Sequence, residues 1–437
     1  LVFLVLSQGN KIKKEIKMTR KISNLILLSV LGFSVQIINA QDVVSTSDTL
    51  APYVDQLTTD VAQMQKFKVS GYIQAQYQQI DSAGAPSFAG GDFAKNVDNR
   101  IGIRRGRVKF AYTDVLTQGV LQLDATESKV AIKEAYLKVT DPIINYLTLT
   151  AGIFNRNFGY EIEYSSSSLE SPERAMIIQT LFPGEVDLGG MLTIQAPKIS
   201  PLNFAKLDLA LFNGTGGTAV DFDKRKDFIG RLSFNKSLLN ENLKTGLGFS
   251  YYNGGYDNQL TSHYNFSSAT GFSSSANDTL ALSKRDYKGI DVQLAYDWRL
   301  GLSTLKGEYI FGSQAGTSSS SKSVTAAPSG ATYNRNFMGY YVCYTQNILQ
   351  TKSQLVVKYD VYDPNTDISG KEIGTLSKTG KADIAYSTLG LGWIYRFDSN
   401  VKFTLYYDMV SNESTSVKAY AKDLKDNVLT VRVQYKF

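Results

Sequence analysis

The sequence predicts an all-β protein, a transmembrane antiparallel β-barrel of about 16 strands with long external loops and short periplasmic turns. Three observations predict it. From Phe67 to Phe437 apolar and polar residues alternate with a period of two, the pattern of strands with one apolar and one polar face. The alternation falls into about 16 runs, each near the ~10 residues a tilted strand needs to cross a bilayer. The connections alternate between long polar segments and tight turns, which an even-stranded barrel with both termini in the periplasm produces. A soluble sandwich has no reason to sort its loops by parity, and no fixed repeat marks a solenoid.

Composition narrows the function classes. One Cys in 437 residues excludes an intramolecular disulfide, and one Cys with one His excludes a Cys/His zinc site, so no cofactor is expected. A single long apolar run excludes a multi-span helical membrane protein. Tyr, with 27 copies, exceeds Phe with 22 and Trp with 2, a bias that suits pleated surfaces and interfaces.

Residues 1–17 read as an upstream mis-start. From Met18 follow Arg20 and Lys21, an apolar stretch over 25–35 and a small residue at Ala40, which predicts a signal peptide over 18–40. The formal charge of +6 sits mostly in this leader. Lys11, Lys13, Lys14, Lys17, Arg20 and Lys21 against Glu15 leave 40 basic and 39 acidic residues beyond position 40. A nucleic-acid partner is therefore not expected. Over 41–66, Val54, Leu57, Val61 and Met64 form the seam of a short, partly helical periplasmic segment, either a cap on the body or a small oligomeric coil.

The barrel is predicted over 67–437. Its runs lie near 67–79, 100–113, 119–125, 130–139, 145–154, 188–196, 204–212, 226–236, 243–252, 286–298, 302–311, 335–348, 353–361, 384–397, 401–410 and 427–437. The last shows the pattern best: Leu429, Val431, Val433, Tyr435 and Phe437 share one face, and Thr430, Arg432, Gln434 and Lys436 the other. Long connections include 80–99, 155–187, 213–225, 253–285, 312–334, 362–383 and 411–426; that at 126–129 is short where the rhythm asks for a long one. The pairs Tyr251 and Tyr252, Tyr340 and Tyr341, and Tyr406 and Tyr407 are expected in aromatic girdles at the membrane interfaces.

At this point the chain resembles the phosphate-selective porin O and P family of Gram-negative outer membranes. The carriers are Arg104 to Lys109, Glu134 to Leu137, Gly152 to Phe154 running into Phe158 to Glu161, Glu173 and Arg174, Phe182 to Gly184 with Asp187 to Gly189, Phe212 to Gly214, and Tyr359 and Asp360 with Asp363 to Asn365. They cover nearly all of 67–437 in matching order. The resemblance implies a 16-stranded homotrimeric porin for ion transport in the cell outer membrane, with an arginine-rich lumen and a long third loop folded inward. Segment 155–187 is the candidate for that loop, and Arg156 and Arg174 are its constriction candidates. Terminal Phe437, with Tyr435 and Val433 behind it, looks like the signal read by the barrel-assembly machinery. Where relatives commonly carry a basic residue before the Asp-Ile/Leu-Gly step, this chain has Glu185, Val186 and Asp187. The loop then sets Glu161, Glu163, Glu170, Glu173, Glu185 and Asp187 against two arginines, which counts against strict phosphate selectivity.

Lumen residues follow from parity. An Arg facing mid-bilayer lipid costs about 2–4 kcal/mol, so Arg105, Arg107 and Lys109 are expected inward and Val108, Phe110 and Tyr112 outward. Arg104 is then expected outward near the external rim. Parity adds Lys138, Arg231, Lys306, Lys358, Arg396 and Arg432 to the lumen, with Asp124, Glu134, Asp291, Glu308, Asp360 and Asp408. The anion-attracting set is Arg105, Arg107, Lys109, Arg231, Lys306 and Arg432, acting on small inorganic anions. No catalytic residue is expected, because the sole His263 falls in the Ser-rich segment 253–285 and reads as a surface loop residue. The expected function is a passive water-filled channel for small anions, phosphate-preferring. The alternatives are a weakly selective general-diffusion porin and a structural or adhesive barrel whose Ser/Gly/Asn loops do the work.

Overall fold

The computed structural model describes residues 47–257, 262–274 and 282–437. The predicted mis-start over 1–17 and signal peptide over 18–40 lie outside the described residues. Helix α1 (Ser47–Lys66) carries the expected seam, with Leu57 and Met64 68% and 75% exposed. Among the described residues no helix is long and apolar enough to cross a membrane, which says nothing of strands.

Beyond the helix the chain folds as one antiparallel sheet closed on itself. Its strands are β1 (Phe67–Ile80), β2 (Asn99–Thr113), β3 (Thr117–Ala125), β4 (Val130–Thr140), β5 (Leu147–Asn155), β6 (Val186–Gln195), β7 (Ala205–Phe212), β8 (Asp227–Leu238) and β9 (Leu243–Asp257). After a small hairpin, β10 (His263–Ser267) and β11 (Gly271–Ser274), come β12 (Leu282–Trp298), β13 (Gly301–Gly316), β14 (Thr332–Asn347), β15 (Ser353–Asp363), β16 (Tyr386–Arg396), β17 (Val401–Asn412) and β18 (Val428–Lys436). β9 pairs directly with β12, and β1 pairs with both β2 and β18, so without the hairpin 16 described strands form the closed barrel.

Each predicted run coincides with one of these strands. The differences lie at the loop end of β9, β12, β13 and β14, which extend further than the alternation shows. There both faces meet water or loops, so pairing continues without a period-two signal. The seam closes through backbone hydrogen bonds between Gly71 and Phe437, 3.0 Å from Gly71 N and 2.9 Å from Phe437 N. Gly71 is needed at this seam: a Cβ there would lie 2.6 Å from the Phe437 ring.

Two expectations about single residues are corrected. His263 is not a surface loop residue: it is buried at the start of β10, beside the hydroxyls of Thr332 (2.9 Å) and Ser283 (3.2 Å), because β10 folds back to run parallel with β14. The tyrosine pairs do not both sit in girdles. In each pair one ring, Tyr252, Tyr341 or Tyr406, is buried inside the barrel, while Tyr251 is 40% exposed on the outer face. Adjacent strand residues face opposite sides, so a Tyr-Tyr pair can give only one ring to lipid.

Candidate functional site

Inside the barrel, residues 156–185 connect β5 to β6 and fill much of the lumen. Short helix α2 (Met176–Leu181) is buried apart from Gln179. Phe158 and Ile177 dock on the wall where inward glycines leave room: a Cβ on Gly289 would stand 2.8 Å from the Phe158 ring, and one on Gly339 2.6 Å from Ile177 Cδ1. Burying these side chains is worth about 1.5–3 kcal/mol each.

The polar ties are mostly ionic. Lys306 and Lys358 donate to Glu170 and Glu161 at 2.6 and 2.7 Å, and Lys402 donates to the carbonyls of Ser167 and Leu169, both at 3.0 Å. Glu308 Oε1 accepts the Tyr160 N–H at 2.9 Å and the Tyr341 hydroxyl at 2.8 Å, which fixes the start of the segment. Glu173 gathers three arginines: Arg104 and Arg105 at 2.7 Å and Arg432 at 3.0 Å. Burial works against charge on Glu173, but Arg104, Arg105 and Arg432 outweigh it and hold the carboxyl well below the usual carboxylate range.

Arg104 corrects the parity reading. β1 pairs Gln74 with Arg105 and Ala75 with Ile103, so Arg104 is the extra residue of a β-bulge. The bulge shifts the phase: Ile101 and Ile103 face out at 84% and 42% exposure, and both Arg104 and Arg105 turn inward to Glu173. β4 does the same. β3 pairs Gln122 with Glu134 and Leu123 with Ile132, so Lys133 is bulged and joins Glu134 on the inner side. Sequence reasoning missed Lys133, although the signal is present: the apolar phase changes between Val130 and Ile132 on one side and Leu137 and Val139 on the other.

Among the described residues, the two larger cavities beside the inserted segment share part of their lining. One, of about 610 Å³, faces the loop end and is lined by Arg104, Arg105, Arg107, Lys129, Lys133, Arg174 and Lys322 against Asp124, Glu173 and Glu185. The second, of about 280 Å³, reaches toward Ser70, Gly71 and Lys436 at the turn end. Both are lined by Arg107, Lys133, Arg174 and Glu185. These four side chains, from β2, β4 and the inserted segment, border both cavities. Lys133 Nζ and Arg174 Nε reach the two oxygens of Glu185 at 2.8 and 2.7 Å.

Every residue predicted to attract anions has a carboxylate partner. Besides the pairs given for Arg105, Lys306 and Arg432, Arg107 meets Asp124 at 2.8 Å, Lys109 meets Glu134 at 2.8 Å, and Arg231 reaches Asp291 through its second terminal nitrogen at 3.0 Å. Neither cavity is lined by Arg231, Lys306 or Arg432. Of the loop candidates, Arg174 borders both cavities. Arg156 is buried, lies 5.3 Å from the Phe182 ring centre and donates to the Pro183 carbonyl at 3.0 Å.

No family model matches the sequence, and a comparison with curated proteins finds no match. Solved structures do share the fold. An anion-selective porin from Comamonas acidovorans is similar over 85% of this chain and 99% of its own, at 11% identity and a TM-score of 0.51. The outer membrane channel DcaP of Acinetobacter baumannii covers 85% and 97%, at 12% identity and a TM-score of 0.51. OprB of Pseudomonas putida covers 88% and 97%, at 10% identity and a TM-score of 0.50. At such identities the likeness is one of fold, the closed antiparallel barrel of outer-membrane porins in general. It does not single out the O and P group.

Proposed function

We propose that the protein is an outer-membrane porin, a passive water-filled channel that favours small anions. The observation that carries this reading is the pair of open cavities meeting at Arg107, Lys133, Arg174 and Glu185, with seven cationic and three acidic side chains lining the larger one. That excess of positive charge raises the local concentration of anions and repels cations along the path. The Comamonas acidovorans barrel of the same fold is an anion-selective porin, which supports the same direction of selectivity here. Phosphate is the permeant that the family resemblance implies. The pairing of each predicted lumen cation with a carboxylate favours a graded preference among small anions over tight capture of one. The same reading places the barrel in outer-membrane lipid as a homotrimer, inserted by the barrel-assembly machinery through Phe437. Planar-bilayer recording tests it: under a salt gradient the zero-current potential should report anion preference. A potential of the opposite sign would overturn the anion reading, and a folded barrel with no conductance would favour a structural role.

A further inference from the structure

We infer that Glu185 is a tethered counter-ion bordering both cavities, occupying the donors a permeating anion would use and so limiting how strongly the pore selects. This rests on the channel reading above. Its two oxygens are divided between two cations: Lys133 on the barrel wall at 2.8 Å and Arg174 on the inserted segment at 2.7 Å. With Arg107 these are the cations common to both cavities, and Arg107 is already matched by Asp124 at 2.8 Å. A small oxyanion bridging Lys133 and Arg174 competes with Glu185 for the Arg174 Nε donor and for the Lys133 charge.

The chain fixes this carboxylate in place. Gly184 and Glu185 both adopt left-handed backbone, with φ of 74° and 67°, a conformation that costs a residue other than glycine. The Glu185 carbonyl accepts the Arg156 N–H at 2.9 Å, and the Glu185 N–H donates to the Phe182 carbonyl at 2.9 Å. Lys133 Nζ also donates to the Gly184 carbonyl at 2.6 Å. Burial opposes the charge, but Lys133 and Arg174 outweigh it and hold the carboxyl well below the usual range, so Glu185 stays ionised in mild acid. Lys133, Arg174 and Glu185 together carry one net positive charge. Without the Glu185 charge they carry two.

The test is Glu185→Gln in the full chain reconstituted in planar bilayers. Glutamine keeps the size and an acceptor for Lys133 while removing the charge. The anion-to-cation permeability ratio should rise roughly two- to fivefold, the span of one partly exposed ion pair. Inorganic phosphate titrated against chloride should then block current at lower concentration. A conducting Glu185→Gln channel with both quantities unchanged would overturn the inference. So would an equal shift from Glu170→Gln, which cuts a tie of the same segment away from the path and reports loosening alone. Should Glu185→Gln fail to insert, Glu185→Gly suits the left-handed backbone and reads the same two quantities. Cation preference in the unmodified channel would defeat the anion reading above, while the shift between it and Glu185→Gln would still decide the role of Glu185.

Discussion

Two flanks of the same lumen use the same residue types to opposite ends. Along β13, β15, β17 and β18, Lys306, Lys358, Lys402 and Arg432 all donate to the inserted segment and tie it to the wall, leaving beside Lys358 a cavity of only about 40 Å³. Along β2 to β4, Arg107 and Lys133 line open cavities, with Arg104 and Arg105 bridging the two regimes through Glu173. An inward cation is therefore either a fastening or a source of field. Which it becomes depends on whether its contacts with the segment between β5 and β6 close the space around it or leave it lining one of the larger cavities. The acidic character of that segment, which by sequence argued against selectivity, supplies counter-ions to the wall.

The comparison breaks most visibly at Glu173. Glu173→Ala strips a shared counter-ion from three arginines, and leaving buried charge uncompensated should cost about 3–5 kcal/mol. A fall in the urea midpoint of the folded barrel, with a larger single-channel conductance as the segment loosens, would register it. The pH dependence has a definite sign. A carboxyl depressed in the folded state contributes stability above its unfolded pKa and loses it only as pH falls through the lower folded value. The stability lost on Glu173→Ala should thus be the same at about pH 7 and about pH 5; a clearly smaller loss at the lower pH would mean that Glu173 is not held as its three partners imply.

The apolar side of the fastening gives a smaller effect. Gly339→Leu would drive side-chain atoms into Ile177, already 2.6 Å from a Cβ at that position. Overpacking of this kind costs about 1–3 kcal/mol, and a partly displaced segment should raise conductance without a matching change in selectivity. The finest test sets one flank against the other. Arg107→Ala should lower the anion-to-cation ratio, since Arg107 lines both of the larger cavities. Lys306→Ala should lower stability and leave the ratio alone. Equal shifts in zero-current potential from both would erase the distinction between the flanks.

Much of the barrel is legible in the chain. In lipid every backbone amide must be paired and charge is excluded from the outer face, so period-two alternation fixes which segments become strands and which side each residue faces. The last strand, from Leu429 to Phe437, needs nothing else. Where alternation changes phase, at Ile103 to Gly106 and Ile132 to Ala135, strict parity fails and two bulges bring Arg104 and Lys133 inward. Those shifts are visible in the positions of the outward apolar residues once a bulge is allowed. The loop ends of β9, β12, β13 and β14 leave no such trace, because pairing continues there without an apolar face to mark it.

The sequence by itself determined the barrel, its strand count and the inward placement of Arg105, Arg107, Lys109, Arg231, Lys306 and Arg432, because a closed sheet with an apolar outer face imposes a local rule on each successive residue. Only the tertiary structure decided which of these charges still face the water. That outcome depends on contacts such as Arg105 with Glu173 and Arg432 with Glu173, 68 and 259 residues apart, and no local period encodes where a loop will land.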